Sequence, residues 1–484
     1  MADERPLPFT GAHPAFRVRG WREMLGAGEE IAAVNMARHF LITGETGSGK
    51  SLSGVIPLLE AALRYPERDA YKAYRAKAGK KADAREQLRP AVLVVDPKHE
   101  LGEVVQREAA GREITTVQYG TPGKRLYFFE GRDIVSMGAS DAVDSILAQS
   151  DFYTRDLAGT REPSWCIQAG NLIKDFVAVD MFLARQGIDK LNAFWSRVRT
   201  KMAGEQEVKA ILPLLCYNRD NYFRAMAALV AYSTGDDGSL PLAAYLYACE
   251  EINIPGELTA RLVSLVTLYH STRSGLVWTA NGILCDLASE ELCSCVSLNP
   301  MEAPENTFSV CAMLERGDAL VYIPTISPSA VADTVGRCIK AKFMEFVFTR
   351  ENKVRPFAYI VDEAHGFITA GEQDGEQSLL DRCRAYRTMV VLSTQSIASL
   401  KVRLEGSAAF AGSALQVMLN NCGNALYFRS SDIATQESVQ ARIPDCPMAG
   451  RPHVIKVRPL TSLATGSCYA LRADGGWGLF QVQL

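Results

Sequence analysis

The run Gly44-Glu45-Thr46-Gly47-Ser48-Gly49-Lys50-Ser51 constrains this chain more than any other feature. An apolar, strand-like stretch, Phe40-Leu41-Ile42-Thr43, precedes it, and Leu52, Val55, Ile56, Leu58 and Leu59 follow with helical spacing. Strand, loop and helix in that order are the context a phosphate-binding P-loop requires. The glycines let backbone N–H groups curl round an anion, and the helix N-terminus adds its partial positive charge. Lys50 is expected to reach the β- and γ-phosphates, and the Ser51 hydroxyl to ligate Mg²⁺. The pattern predicts an ATP site bound by Gly44, Glu45, Thr46, Gly47, Ser48, Gly49, Lys50 and Ser51.

At 484 residues the chain is too long for one ordinary compact domain. Its net charge of −3 carries no global nucleic-acid signature, so any DNA contact has to come from local patches. The longest charge-free run, Gly406 to Phe428, is broken by Gln416, Asn420, Asn421 and Asn424, and reads as helix, turn and strand rather than a membrane span. Asp3, Glu4 and Arg5 ahead of two prolines are not a secretory leader. A cytoplasmic protein is expected, with any membrane association peripheral. The twelve cysteines lack C-x-x-C spacing. A metal site at Cys285, Cys293 and Cys295 is the alternative to the reading taken, reduced cysteines acting as small hydrophobes.

A lead-in over 1–38 precedes the first α/β block, 39–150. That block holds the P-loop, a basic stretch with Lys72, Arg75, Lys77, Lys80 and Lys81, the buried strand Ala91-Val92-Leu93-Val94-Val95, a helix from Leu101 and a strand at Ile114–Gln118. From Asp151 the character changes: Trp165, Ala169, Leu172, Ile173, Phe176 and Val177 have helical periodicity. An all-α insertion over 151–299 is expected. Alternating strands and helices resume over 300–484, with strands at Ala319–Ile323, Phe357–Val361, Met389–Ser393, Ala425–Phe428 and Cys468–Leu471. The fold class is α/β, a RecA-like P-loop NTPase with a mainly parallel sheet and an inserted all-α domain.

Tyr359-Ile360-Val361-Asp362-Glu363 is an apolar strand ending in two acids, the Walker B arrangement. Asp362 is placed to hold Mg²⁺ through its water shell, and Glu363 to orient or deprotonate the attacking water. Gln395, at the tip of Leu392-Ser393-Thr394-Gln395, is the candidate sensor of the γ-phosphate, with an ordinary exposed glutamine as the bland alternative. Arg384 and Arg387 precede that strand. Either is a candidate arginine finger towards a neighbouring subunit's nucleotide, and a solvated helix face is the alternative.

With those residues in place, the chain resembles the coupling-protein ATPases of conjugation and type IV secretion (the TraG/TraD type) within the FtsK/HerA motor superfamily. The resemblance rests on Val95-Asp96-Pro97-Lys98-His99-Glu100-Leu101, similar to the family's D-P-K-G-E, on Val361-Asp362-Glu363, and on Arg384 followed by Leu392-Ser393-Thr394-Gln395-Ser396. Asn424-Ala425-Leu426-Tyr427-Phe428 with Asp432 and Thr435 resembles its late strand-helix block. The resemblance covers roughly residues 39–470, and order and spacing carry it. His99 stands where the family usually has glycine. The chain has neither the N-terminal membrane helices of many members nor their long tail, so it looks like a soluble or truncated version.

The resemblance implies a hexameric ring with ATP between subunits, a central channel for DNA, and delivery of DNA or a protein–DNA substrate. The basic stretch around Lys72, or Trp195, Arg197, Arg199 and Lys201, is a candidate phosphate track, and a solvated surface is the alternative for each. The helical insertion is the better candidate for a protein partner. Asp362-Glu363-Ala364-His365 spells the box of a DEAH helicase, but in those enzymes the box lies far nearer the P-loop, and the expected arginine-rich motif is missing. Leu52-Ser53-Gly54 lies inside the P-loop helix, where an ABC signature does not belong. Two further readings stay open: a nucleotide-gated docking module without motor activity, and a HerA-like DNA motor in defence or repair.

Overall fold

The computed structural model describes residues 8–109, 111–132, 137–154, 163–204, 208–233, 239–325, 329–350, 353–369, 375–405, 411–443 and 460–482. The chain divides into two compact units, one of Met1–Val117, Val310–Ile326 and Lys340–Leu484, the other of Gln118–Ser309 and Ser327–Ile339.

The first unit is organised by a nine-stranded sheet. In chain order its strands are β1 (Phe40–Thr43), β2 (Ala91–Val95), β3 (Ile114–Gln118), β4 (Ala319–Ile323), β5 (Phe357–Val361), β6 (Thr388–Thr394), β7 (Asn424–Tyr427), β8 (Ser467–Leu471) and β9 (Trp477–Gln481). Across the sheet they run β9-β8-β7-β1-β6-β5-β2-β4-β3. The run β7-β1-β6-β5-β2-β4 is parallel, and β8 and β9 add on antiparallel. β1, β2, β4, β5, β6 and β7 are buried at every position, as near-continuous apolar runs require when both faces are covered. Successive strands return to the same sheet through helices, among them α1 (Ile56–Arg64), α2 (Arg68–Ala78), α3 (Glu100–Glu108), α4 (Glu376–Cys383), α5 (Ile397–Glu405) and α6 (Ile433–Arg442). In such sheets ligands bind beyond the carboxyl ends of the strands.

The lead-in belongs to this core. Phe9, Phe16, Val18 and Trp21 are buried in it, and Phe16–Arg17 pairs antiparallel with Glu30–Ile31. Its tie to the P-loop follows from one missing donor. Pro57 has no N–H for the Ser53 carbonyl four residues back, and the Trp21 indole Nε1 donates to that carbonyl at 2.9 Å. The turn Ser51–Val55 is correspondingly wide, a π-turn in which Ile56 N–H reaches the Ser51 carbonyl, before regular α1 begins.

The second unit is mostly helical, with helices at Ala139–Leu147, Ser164–Ala184, Ile188–Met202, Arg224–Ala231, Ser239–Glu251, Gly256–Val266, His270–Leu287 and Glu290–Cys295. Its core includes Phe176, Phe194, Trp195 and Tyr245, whose rings meet edge to face. A small parallel sheet also belongs to it, with Arg125–Tyr127 between Val296–Ser297 and Thr307–Phe308. Burial pushes the Cys293 thiol up to about 12. Among the described residues, no helix is long and apolar enough to cross a membrane.

Candidate functional site

The P-loop leaves the carboxyl end of β1 and is held from three sides. Gly44 N–H donates to the Thr394 carbonyl at 3.3 Å, Glu45 N–H to the Arg429 carbonyl at 2.9 Å, and Gly466 N–H to the Ser48 carbonyl at 3.0 Å. Arg429 Nε also meets Glu45 Oε1 at 2.6 Å, so Glu45 anchors the loop to the end of β7. Gly49 has φ +92°, and a Cβ there would lie 2.8 Å from the Gly466 nitrogen; only glycine satisfies both conditions.

Lys50 is buried, and its Nζ lies 3.7 Å from Glu363 Oε1. Asp362 and Glu363 follow β5 two strands away, with β6 between. Asp362 is fixed on several sides: its Oδ1 accepts from Ser393 Oγ of β6 at 2.8 Å and from Glu363 N–H at 3.0 Å, while its N–H donates to the Val95 carbonyl at 3.1 Å. Glu363 takes a left-handed φ of 48°, a conformation that costs a residue with a Cβ about 1 kcal/mol or more.

The register of β2 against β5, with Val95 opposite Val361, brings the segment after β2 to these acids. Lys98 Nζ is 3.4 Å from Asp362 Oδ2 and hydrogen-bonds Glu363 Oε1. Asp96 Oδ2 accepts from Gly102 N–H at 2.7 Å near the start of α3. Burial raises the Asp96 carboxyl above its ordinary range, and the neighbouring Asp362 charge adds to that rise. Burial also works to raise Glu363, but the Lys98 hydrogen bond and the charges of Lys50 and Lys98 outweigh it and hold the carboxyl low. His365 Nδ1 lies 3.6 Å from Glu363 Oε2 and 3.3 Å from Thr394 Oγ1, and burial lowers its pKa towards the neutral ring. His99 has φ +64°, which explains a glycine at the equivalent place in the resembling family.

Lys50, Asp362 and Glu363 are therefore brought together, and Ser51 opens the π-turn directly beside Lys50. Among the described residues, no contact brings Gln395 or Arg384 to them. Gln395 is exposed just past β6. Arg384 is exposed on the turn Arg384–Tyr386, ahead of β6 and so at the opposite end of the strands from the P-loop, roughly 20 Å away for a strand of that length. Arg387 is buried, with NH1 2.9 Å from Asp83 Oδ2 and 2.9 Å from the Val354 carbonyl. The basic stretch is the exposed face of α2 and the following turn Gly79–Lys81; Lys72, Arg75, Lys77, Lys80 and Lys81 are all solvated. In the helix Ile188–Met202, Arg197, Arg199 and Lys201 are exposed, but Trp195 is a core residue and offers no face for a base to stack on.

Sequence reasoning left Asp96, Lys98 and His365 outside the set of site residues. An acid directly after a fully apolar strand was the available signal for Asp96; the contacts of Lys98 and His365 depend on strand register.

The residues present fit a triphosphate with Mg²⁺. Thr43 Oγ1 and Ser48 Oγ are buried without a hydrogen-bond partner among the described residues, and a Cβ on Gly47 would meet nothing within 4 Å, which leaves that face of the loop open. No group of three or more His, Cys, Asp or Glu among the described residues could cage a metal. Mg²⁺ is usually held by one or two protein oxygens together with waters and substrate phosphates, and Ser51 and Asp362 supply that number.

No protein-family model matches the chain, and no curated protein matches it in sequence. Solved structures do match. The bacterial conjugative coupling protein TrwB, in a trigonal form with sulphate, is 14% identical with a TM-score of 0.55, over 100% of this chain and 93% of that one. The plasmid coupling protein TrwB in complex with ADP and Mg²⁺ is 14% identical with a TM-score of 0.52, over 94% and 87%. TrwB with the non-hydrolysable ATP analogue ADPNP is 14% identical with a TM-score of 0.52, over 94% and 88%. The chain has the fold of a conjugative coupling protein, an α/β P-loop architecture.

Proposed function

We propose that this chain is an ATPase of the coupling-protein type, which uses hydrolysis to translocate or deliver DNA, or a protein–DNA substrate, in conjugation or type IV secretion. The observation that carries this reading is the meeting of Lys50 with Glu363 at 3.7 Å, beside an Asp362 whose orientation Ser393 and the backbone fix. Lys50 and the loop from Gly44 to Ser51 bind the phosphates, and Ser51 and Asp362 hold Mg²⁺. The metal, when bound, neutralises charge on the β- and γ-phosphate oxygens. Glu363, held as a carboxylate, accepts a proton from the attacking water.

Gln395 acts at the γ-phosphate from the tip of β6 once nucleotide is present. Arg384 serves a neighbouring copy, since in its own chain it lies at the far end of the sheet. A ring of copies, six as in the resembling family, provides both the trans arginine and a channel for DNA. The exposed lysines and arginines of α2 contact the phosphate backbone, and the helical unit receives a protein partner. The chain works in the cytoplasm, peripherally at a secretion complex.

The test is ATP hydrolysis against protein concentration, with and without single- and double-stranded DNA, using Glu363→Gln as the blank. A steep rise with concentration and a several-fold rise with DNA are expected. A flat, slow rate indifferent to DNA overturns the motor reading in favour of a nucleotide-gated docking module.

A further inference from the structure

Lys98 is a cation in the site that the chemistry above does not use. We propose that Lys98 is a resident cation that holds Asp362 and Glu363 in the nucleotide-free site and gives way to Mg²⁺ when the nucleotide arrives. The inference rests on the reading of this pocket as a nucleotide site.

Two carboxyl groups, on Asp362 and Glu363, stand together after β5, the first almost wholly buried and the second 13% exposed, and Asp96 is buried at the end of the neighbouring strand β2. Buried carboxylates left without a counter-charge are strongly destabilising, so a cation is needed there before any metal enters. Of these two acids Lys50 pairs with Glu363, at 3.7 Å, whereas Lys98 reaches Asp362 and Glu363 alike, at 3.4 Å from Asp362 Oδ2 and in a hydrogen bond to Glu363 Oε1.

Lys98 also has the build of a group that can leave. Its side chain is 36% exposed, against 1% for that of Asp362, and it sits on the turn between β2 and α3 rather than in a strand. An ammonium on a flexible stem gives up its contacts one at a time, unlike a bidentate guanidinium. While Lys98 binds Glu363 Oε1, that oxygen is not free to take a proton from water. Arrival of the metal with the nucleotide then exchanges one cation for another. Lys98 acts here as a positioning residue, through the acids it holds.

The experiment is binding of a fluorescent ADP analogue to the full chain, in excess Mg²⁺ and in EDTA, for wild type, Lys98→Met and Lys98→Arg. Lys98→Met keeps the stem and removes the charge. Its Kd in EDTA is expected to rise about tenfold, because the anionic pocket then repels the phosphates, while its Kd in Mg²⁺ stays within about threefold. The ratio of the two constants therefore grows about tenfold, and Lys98→Arg keeps it near the wild-type value. An unchanged ratio in Lys98→Met overturns the inference, whether both affinities fall together or neither moves; the first result would make Lys98 an ordinary phosphate ligand. Lys98→Gln carries the same comparison if Lys98→Met does not fold by circular dichroism. Absence of ADP binding to wild type in Mg²⁺ is a separate result, which removes the nucleotide reading itself.

Discussion

Ser393 Oγ donates a hydrogen bond to Asp362 Oδ1 at 2.8 Å, joining the buried end of β6 to the acid that follows β5. Both side chains are shut off from water, and the carboxylate has no solvent to replace this donor. Ser393→Ala should cost about 1.5–3 kcal/mol of stability, the usual worth of a hydrogen bond to a charged group, with Glu363 N–H left as the donor to Asp362 Oδ1. It should also weaken Mg²⁺-dependent nucleotide binding several-fold while leaving metal-free binding closer to wild type, because Asp362 is the group disturbed. Urea titration and nucleotide binding with and without Mg²⁺ measure the two effects. Unchanged stability together with unchanged metal dependence would remove the assigned role of this bond.

Most sheet strands of the first unit were legible because they are short, apolar or β-branched runs, which sequence pattern fixes locally, whereas β9, with Gly478 and Gln481 in its five residues, was not foreseen. The P-loop was legible for the same reason, with glycines between a strand and a helix. The π-turn after Lys50 was not foreseen, although Pro57 carries the signal: it removes a donor that Trp21 then replaces from a part of the chain that sequence reading left as a plain lead-in. The strands Val296–Ser297 and Thr307–Phe308 are two residues each, too short to show alternation. Lys98 enters the site because Val95 lies opposite Val361, a long-range register that no local pattern encodes. Trp195 reads as surface when set among Arg197, Arg199 and Lys201, yet helical spacing puts it on the opposite side with Leu191, Phe194 and Val198, all buried.

His39 predicts loss of stability in acid. Its ring is fully buried at the start of β1, and burial, with a smaller contribution from Arg384, lowers its pKa from 6.5 to about 3. Between those values the unfolded chain binds a proton that the native ring refuses, so stability rises with pH across the window and falls as pH drops from 6.5 towards 3. His39→Asn removes the titration and tolerates the left-handed φ of 58°. The stability difference between pH 7 and pH 5 should shrink by about 2 kcal/mol in the variant. Denaturation curves at both pH values check this, and an equal difference in both proteins would remove the assignment.

Asp180 predicts the opposite slope for the second unit. Burial raises its carboxyl from 3.8 to about 8, and the adjacent Tyr222 and Trp195 only partly offset that. Between pH 3.8 and 8 the native group keeps a proton that the unfolded chain releases, so its contribution to stability falls as pH rises through that window. Asp180→Asn carries no such titration. The variant should gain on wild type between pH 5 and pH 8, by about 2–4 kcal/mol on an order-of-magnitude scale. Thermal melting at the two pH values reads the gain, and parallel pH profiles for the two proteins would count against a raised Asp180.

Arg384 and Arg387 precede the same strand and should behave oppositely. Arg387 is buried, bonded to Asp83 and to the Val354 carbonyl, and its guanidinium also lies 5.7 Å from the centre of the Phe9 ring. Asp83 draws on both His13 and Arg387, with the His13 contact the larger cause of its lowered pKa. Arg387→Ala should therefore cost about 2 kcal/mol, less than a fully buried pair because Asp83 keeps His13 and is partly exposed. Arg384 is exposed, so Arg384→Ala should change stability by no more than about 0.5 kcal/mol. Its effect belongs to the assembled state: turnover per chain should fall by a hundredfold or more within a ring, with the basal rate of dilute, unassembled protein unchanged. Sedimentation at the assay concentration establishes which state is measured. Wild-type turnover by Arg384→Ala in a demonstrated ring would rule out a trans arginine at this position, and the search would pass to another exposed arginine on the same face.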